Sequence, residues 1–282
     1  MSTLKVYDEL VQRSDEWFAA RCGIVTASAI GALLTVAKPA AIEYPCPSCE
    51  APAAHPCRSK ARRAGSDPTP IKTLHGERVT VASESDVAPR IGVAAGDEVK
   101  SLTLLLASER VTGHVEETFT THDMWRGIEA EPIARDTYAE HYSRPVREVG
   151  FMVRDFSAFR IGYSPDGLVG DDGLIEIKSP RQKGHLATIL DGEVPAAHMA
   201  QLQTGLLVSG RKWIDFVSFH GGMPMWTKRV TPDKDWHAAI IAAAEALEQR
   251  LAAIEATYAA AVKGLPLTQR LPSYDPEITV TS

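Results

Sequence analysis

The sequence predicts an α/β fold, and three observations carry that expectation. Short runs rich in β-branched and aromatic residues occupy the middle of the chain at 151–153, 159–163, 174–178, 213–220 and 225–230, each bounded by turn residues. Helical periodicity flanks these runs on both sides, and an Ala-rich stretch reaching to about residue 262 has the composition of one long helix. The 282 residues are long for one compact domain and short for two. With 44% hydrophobic and 23% charged residues, the chain is neither disordered nor collagen-like.

Taken in order, the opening reads as helix. Ser14 is an N-cap, Asp15 and Glu16 favour the first turn, and Gly23 is the stop, so Trp17, Phe18 and Arg21 fall on neighbouring faces. Thr26-Ala27-Ser28 is a second helix start ahead of Ile30, Leu33 and Leu34. From Pro39 to about residue 70 the composition shifts to Pro, Ala, Cys and Arg, and five prolines from Pro39 to Pro56 exclude a long helix. This stretch reads as an insertion. Residues 75–123 read mostly as helix, most clearly 99–111 with Leu102, Leu105 and Leu106 on one stripe, and a further helix follows Gly127.

Asp171-Asp172-Gly173 is a hairpin turn between two of the central strands. A helical stretch containing His198, Gln201, Gln203, Leu206 and Leu207 separates the two strand groups. Thr231-Pro232-Asp233 caps the last helix, with proline expected at its first position. The chain therefore divides into an N-terminal helical part of the core at 1–38, an insertion at 39–80, the core at 81–233, a C-terminal helix at 234–263 and a tail at 264–282.

Thirty Lys+Arg against 36 Asp+Glu give a net charge of -6, so a polyanionic partner would have to meet locally concentrated cations. No apolar run approaches the roughly 18 residues of a membrane span, and the first ten residues lack a signal-peptide pattern. A cytoplasmic protein without membrane partners is expected. Four cysteines do not make a disulfide scaffold; three of them within twelve residues point to a metal in a reducing compartment.

The most informative stretch is Ser164-Pro165-Asp166-Gly167, followed eight residues later by Glu176-Ile177-Lys178. Alternate side chains of a strand share a face, so Glu176 and Lys178 project together about 7 Å apart, with Ile175 and Ile177 on the opposite side. A hairpin return through Asp171-Gly173 brings Asp166 alongside Glu176. Two carboxylates and an ammonium at one sheet end suit phosphodiester hydrolysis: carboxylate oxygens bind Mg²⁺, and the lysine orients or deprotonates a water. Taken alone, the same residues also suit a solvated surface hairpin. Upstream, Glu129 and Glu131 sit near a helix start, where either could merely favour the dipole. Downstream, Gln201 could hold a metal-bound water.

The order of these segments is informative beyond their chemistry. Ala20-Arg21-Cys22-Gly23-Ile24-Val25-Thr26-Ala27-Ser28, then Gly127 to Glu131-Pro132, then Ser164-Pro165-Asp166-Gly167 with Glu176-Ile177-Lys178-Ser179-Pro180, then Gln201-Leu202-Gln203 resembles the YqaJ-type viral recombinase family. This is the phage lambda exonuclease-like group of the PD-(D/E)XK nuclease superfamily. The likeness spans about residues 12–232 and leaves the insertion and the last helix outside it.

The resemblance implies a restriction-endonuclease-like core, a central mixed sheet flanked by helices. It implies that Asp166, Glu176 and the Ile177 carbonyl bind Mg²⁺ (or Mn²⁺), that Glu131 rather than Glu129 is the helix acid, and that Lys178 acts on the attacking water. Gln201 would orient the nucleophile. Arg21 and Ser28 would clamp a DNA 5′-phosphate, for which a guanidinium fork is suited; a salt bridge to a helix acid is the structural alternative for Arg21. The implied activity is digestion of double-stranded DNA from a 5′ end, leaving a 3′ single strand for an annealing protein, in a bacterial host or phage-infected cell. A ring-shaped homotrimer is a further implication. Cys22 replaces a larger apolar residue of the family, and His198 stands where the family carries Tyr.

In the insertion, Cys46, Cys49, Cys57 and His75 have two, seven and seventeen residues between them. A Cys-x-x-Cys turn lets two thiolates grip one Zn²⁺, and Cys57 and His75 could close a tetrahedral site, with His55 and Cys22 as competitors for the fourth position. The stretch resembles a small zinc finger of actinobacterial and actinophage proteins. A four-cysteine iron–sulfur cluster that recruits Cys22 is the rival. Arg58, Lys60, Arg62, Arg63, Lys72 and Arg78 gather here, a patch suited either to DNA phosphates or to solvent. Three functions are therefore carried forward: an Mg²⁺-dependent exonuclease, an endonuclease of the same superfamily, and an inactive zinc-bearing DNA-binding protein.

Overall fold

The chain opens as an edge strand, where helix was expected. β1 (Thr3–Tyr7) pairs antiparallel with a strand almost 150 residues away, Thr3 opposite Asp155 and Tyr7 opposite Phe151. Its helix signal starts only at Ser14, whose hydroxyl accepts from Trp17 N at 3.3 Å and caps α1 (Asp15–Arg21). The computed structural model describes residues 2–59, 68–116 and 121–270.

After α1 come β2 (Val25–Thr26), a single 3-10 turn at Ile30–Leu33, and β3 (Leu34–Ala37). The helix expected from Thr26-Ala27-Ser28 is reduced to that one turn, because Val25 and Thr26 pair with a central strand. A second 3-10 turn (Ala41–Glu43) leads through the Cys-rich stretch to α2 (Gly76–Glu84). β4 (Arg90–Val93) then interrupts the region expected to be mostly helix and forms an antiparallel ribbon with β3. The strongly periodic segment is helical as expected, α3 (Asp97–Thr112).

α4 (His122–Tyr142) begins five residues before Gly127, with Thr121 as its N-cap. Glu129 and Glu131 therefore lie well inside the helix, and the first-turn acid is Asp123. The centre follows as β5 (Val146–Arg147), β6 (Phe151–Asp155), β7 (Arg160–Tyr163), β8 (Gly167–Val169) and β9 (Gly173–Lys178). α5 (Gln182–Asp191) and α6 (Ala196–Ser209) cross over to β10 (Trp213–Ser218), and β11 (Trp226–Val230) returns antiparallel to it. α7 (Lys234–Ala261) closes the described fold. Its N-cap is Asp233, whose carboxylate accepts from Asp235 N and Trp236 N; Pro232 stands before the cap, two positions ahead of the first helical residue where it was expected.

Two mixed sheets result, one in the order β1-β6-β7-β2 and the other β11-β10-β9-β8-β5. β9 and β10 run parallel, Glu176 opposite Phe216, which is why two helices are needed to connect them. Side chains alternate across β9. Leu174 joins the main core with Ile161, Tyr163, Ile214, Phe216, Leu202, Leu206, Ile240 and Leu247. Ile175 and Ile177 pack on the other face with Ala134 and Tyr138 of α4 and with Val169 and Val217. Each such fully buried aliphatic side chain contributes about 1.5–3 kcal/mol. Both faces of β9 are thus covered, and its C-terminal end is held rigidly between α4 and α6. Among the described residues no helix is long and apolar enough to cross a membrane.

Candidate active site and metal cluster

The β8–β9 hairpin sets the first pair of acids. Gly167 lies opposite Ile175, and continuing that register places Asp166 opposite Glu176. Asp166 Oδ2 accepts the Ile177 amide at 2.6 Å. Glu176 is 1% exposed and accepts three hydrogen bonds. Its Oε1 accepts from Lys178 Nζ at 2.7 Å and from Gln201 Nε2, and its Oε2 accepts from Tyr163 OH at 3.2 Å. Tyr163 reaches it because α6 presents Gly205 to the ring; a Cβ there would lie 2.8 Å from Tyr163 Cζ.

α4 brings the third acid from the other side. Glu131 Oε1 accepts from Arg135 Nη2 at 2.6 Å, one helical turn on, and Arg135 Nε donates to the Asp166 carbonyl at 2.8 Å. Arg135 also pairs with Glu148 at 2.9 Å. Sequence reasoning missed Arg135 and Tyr163 as supports. The four-residue spacing of Glu131 and Arg135 was a usable signal, whereas nothing local marks Tyr163.

Arg21 and Ser28 complete the same cleft, of about 530 Å³, which Asp166, Glu176, Ile177, Lys178, Glu131 and Gln201 also line. Arg21 stacks on Trp17, 3.8 Å from the ring, and donates weakly to Thr26 Oγ1 at 3.5 Å. Thr26 Oγ1 in turn lies 3.1 Å from Ser28 Oγ. Among the described residues no carboxylate lies within ion-pair distance of Arg21, although Glu109 of α3 acts on its charge from further off. Trp17, the platform, donates to the Gly150 carbonyl and to Ser164 Oγ, both at 3.1 Å, which ties it to the loop preceding Asp166. Glu129 does not line the cleft.

The electrostatics are those of a site crowded with acid. Burial, then the neighbouring Glu176, pushes Asp166 well above the usual carboxylate range. Burial also raises Glu131, against the pull of Arg135. Burial alone would lower Lys178, but Glu176, Asp166 and Glu131 outweigh it and keep the ammonium charged. Burial lowers Arg21 to about 10, still charged at neutral pH. Lys178, and Arg135 bound to Glu131, leave the three carboxylates in excess of the site's own paired cations, and a divalent cation is a group that this donor set fits.

The second cluster is local. Sγ of Cys46, Cys49 and Cys57 and a ring nitrogen of His75 all lie within 4.8 Å of one another, a donor set that fits tetrahedral Zn²⁺. Backbone N–H groups of Arg58 and His75 point at Cys49 and Cys57 sulfurs, 3.3 and 3.4 Å away. His55 instead contacts the Ala53 carbonyl, and Cys22 donates to the Glu109 carbonyl, so neither competitor joins the cluster and the four-cysteine reading loses its fourth ligand.

Arg78 requires a correction. It is fully buried and donates to the carbonyls of Ala41, Ile42, Tyr44, Pro52 and His55 at 2.7–3.1 Å, so it is the peg of the finger and no phosphate contact. Arg58 and Lys72 remain exposed, while Lys60, Arg62 and Arg63 lie outside the described residues. No described residue of 39–80 lines the acidic cleft.

Known proteins bear on both regions. Residues 75–212 match the YqaJ-like viral recombinase domain, and residues 12–96 match a phage zinc finger domain provisionally described as DNA-binding. No curated protein matches. Among solved structures, the alkaline exonuclease LHK-Exo from Laribacter hongkongensis is 29% identical, over 89% of this chain and 99% of that one, with a TM-score of 0.59. The same enzyme in complex with dAMP superposes with a TM-score of 0.60 over the same shares. Residues 75–212 are thus similar to a YqaJ-like viral recombinase domain and residues 12–96 to a phage zinc finger domain, and the fold is similar to that of an alkaline exonuclease.

Proposed function

We propose that this protein is an Mg²⁺-dependent exonuclease that digests one strand of a DNA duplex from its 5′ end. The 3′ single strand left behind would serve an annealing protein in phage-type recombination. The observation that carries the reading is the convergence of Arg21, Ser28, Glu131, Asp166, Glu176, Lys178 and Gln201 in one cleft, although they come from separate elements of the chain.

Asp166, Glu176 and Glu131, with the Ile177 carbonyl, would hold the cation. Mg²⁺, or Mn²⁺ in its place, supplies a polarised phosphoryl oxygen and a more acidic water when bound. Lys178, kept charged by its three acidic neighbours, orients that water through a proton held at Nζ and offsets developing charge. Gln201 and Tyr163 fix the Glu176 carboxylate, one on each oxygen. Arg21, set over the Trp17 ring, would hold the terminal 5′-phosphate together with Ser28.

The zinc finger would contact the duplex through exposed cations such as Arg58 and Lys72. A homotrimer encircling DNA is the assembly that the family likeness suggests.

The deciding assay compares a 5′-phosphorylated linear duplex with a covalently closed circle, in Mg²⁺ and in EDTA. Release of nucleotides from the linear 5′-strand, lost in EDTA, is the expected result. Rapid cutting of the closed circle would assign an endonuclease instead, and no cutting of either would leave a DNA-binding protein.

A further inference from the structure

The turn between Arg21 and β2 is held from outside the cleft, by residues that the proposed chemistry does not use. Gly23 takes a left-handed φ of +66°, and both of its polar groups are engaged by neighbours on the last turns of α3. Glu109 Oε2 accepts the Gly23 amide at 2.8 Å, and Arg110 Nε donates to the Gly23 carbonyl at 2.9 Å. The Arg110 stem lies flat on the glycine, so a Cβ there would sit 2.3 Å from Arg110 Cγ.

Arg110 is anchored in turn by α7. Its two terminal nitrogens make a bidentate pair with Glu248, both at 2.7 Å, and Glu255, two turns further along, lies 3.4 Å away. The side chain faces a separate cavity of about 580 Å³, which Cys22, Asp155, Phe159 and Arg160 also line. With its charge met by two carboxylates and its face turned from the acidic cleft, Arg110 is not built to hold a phosphate itself.

We infer that Arg110, clamped by Glu248 of α7, is a positioning residue that sets Arg21 for the terminal 5′-phosphate by fixing the Gly23 turn. α7 begins at Lys234, beyond the 75–212 recombinase match, so the helix contributes to end recognition from outside that domain. The geometric reason is short leverage. Arg21 lies two residues before Gly23, and Thr26, which meets both Arg21 and Ser28, lies three residues after it. Neither end of the turn can shift without breaking the Glu109 or the Arg110 contact. The inference rests on the 5′-phosphate reading of Arg21 and Ser28 proposed above.

The test is steady-state digestion of linear duplexes carrying either a 5′-phosphate or a 5′-hydroxyl, by the full chain and by Arg110→Met, which keeps the apolar stem over Gly23. KM for the phosphorylated end should rise about tenfold, the scale of one charge-assisted hydrogen bond. The kcat, and both constants for the hydroxyl end, should stay the same. Equal losses on the two ends, or none, would overturn the inference. If Arg110→Met does not fold, Glu248→Gln decides, because it leaves the Gly23 contact in place: a smaller rise in KM confined to the phosphorylated end is expected, and an unchanged ratio between the ends overturns the inference. Failure of the underlying reading is separately visible, since the unmodified protein would then show no preference for a 5′-phosphate.

Discussion

The zinc cluster and the acidic cleft are both built to surround a cation, yet they are assembled in opposite ways. The four ligands of the finger fall within 30 residues, and one buried side chain, Arg78, ties the surrounding carbonyls together. The cleft draws on residues from 21 to 201 and is held by sheet register and helix packing. A local cluster of this kind leans on its metal, because little apolar core surrounds it: its buried set is Cys46, Ala51 and Cys57. The cleft leans on a core of more than twenty buried side chains, so its geometry should outlast its metal. The two regions therefore separate structural from chemical dependence on a cation.

The largest effect should come from the cleft. Lys178→Ala is expected to abolish digestion, with a loss of roughly 10³-fold or more, because it removes the ammonium that Glu176, Asp166 and Glu131 keep charged. Duplex binding and the melting temperature should be nearly unchanged. Residual activity near the original level, measured by nucleotide release, would break the assignment of the site.

Next comes the finger. Serine at both Cys46 and Cys49 should remove bound zinc, as read by metal analysis, and loosen residues 39–80 while the core unfolds at its former temperature. Affinity for duplex DNA should fall several-fold at low salt, and the deficit should shrink as salt rises, if the finger contributes phosphate contacts. Zinc retained in that variant would refute the ligand set; zinc lost without a change in affinity would confine the finger to a structural role.

The smallest effect concerns His198, which stacks on Phe216 beside the cleft. Burial, then the nearby Lys178, lowers its pKa to about 4 from the ordinary 6.5. The unfolded chain therefore takes up this proton first as pH falls, so the contribution of His198 to stability is intact above pH 6.5 and is lost progressively toward pH 4. His198→Tyr should remove that part of the acid-side slope. Denaturant melts at pH 7.5 and 4.5, compared between the two proteins, measure it; equal slopes would show that the imidazole is solvated.

Much of this was legible from local pattern. Strand runs, the helix over 99–111, the Cys-x-x-Cys turn and the Asp166, Glu176, Lys178 spacing all rest on periodicity or short-range geometry and sit where that geometry leads, although Leu105 of the expected apolar stripe is exposed. The misreadings have a common cause. β1 and β4 are exposed or half-exposed ribbon strands of four or five residues whose partners lie far away or across the insertion, so their alternation is too short to stand out. Arg78 looked like one surface cation among six because nothing in its neighbourhood reveals five inward-facing carbonyls. α4 began early because Thr121 caps it, overriding the break expected at Gly127.

What the sequence determined by itself is the inventory: which acids, which lysine, which thiols, and the two-residue periodicity that puts Glu176 and Lys178 on one side of a strand. What only the tertiary structure decided is company. Glu131 meets Asp166 through Arg135, Tyr163 and Gln201 divide the oxygens of Glu176, and Arg110 reaches from α3 to both Gly23 and Glu248. The reason is that hydrogen bonds between distant segments depend on the packing of whole helices against a sheet, and a single chain pattern does not encode which ridge settles into which groove.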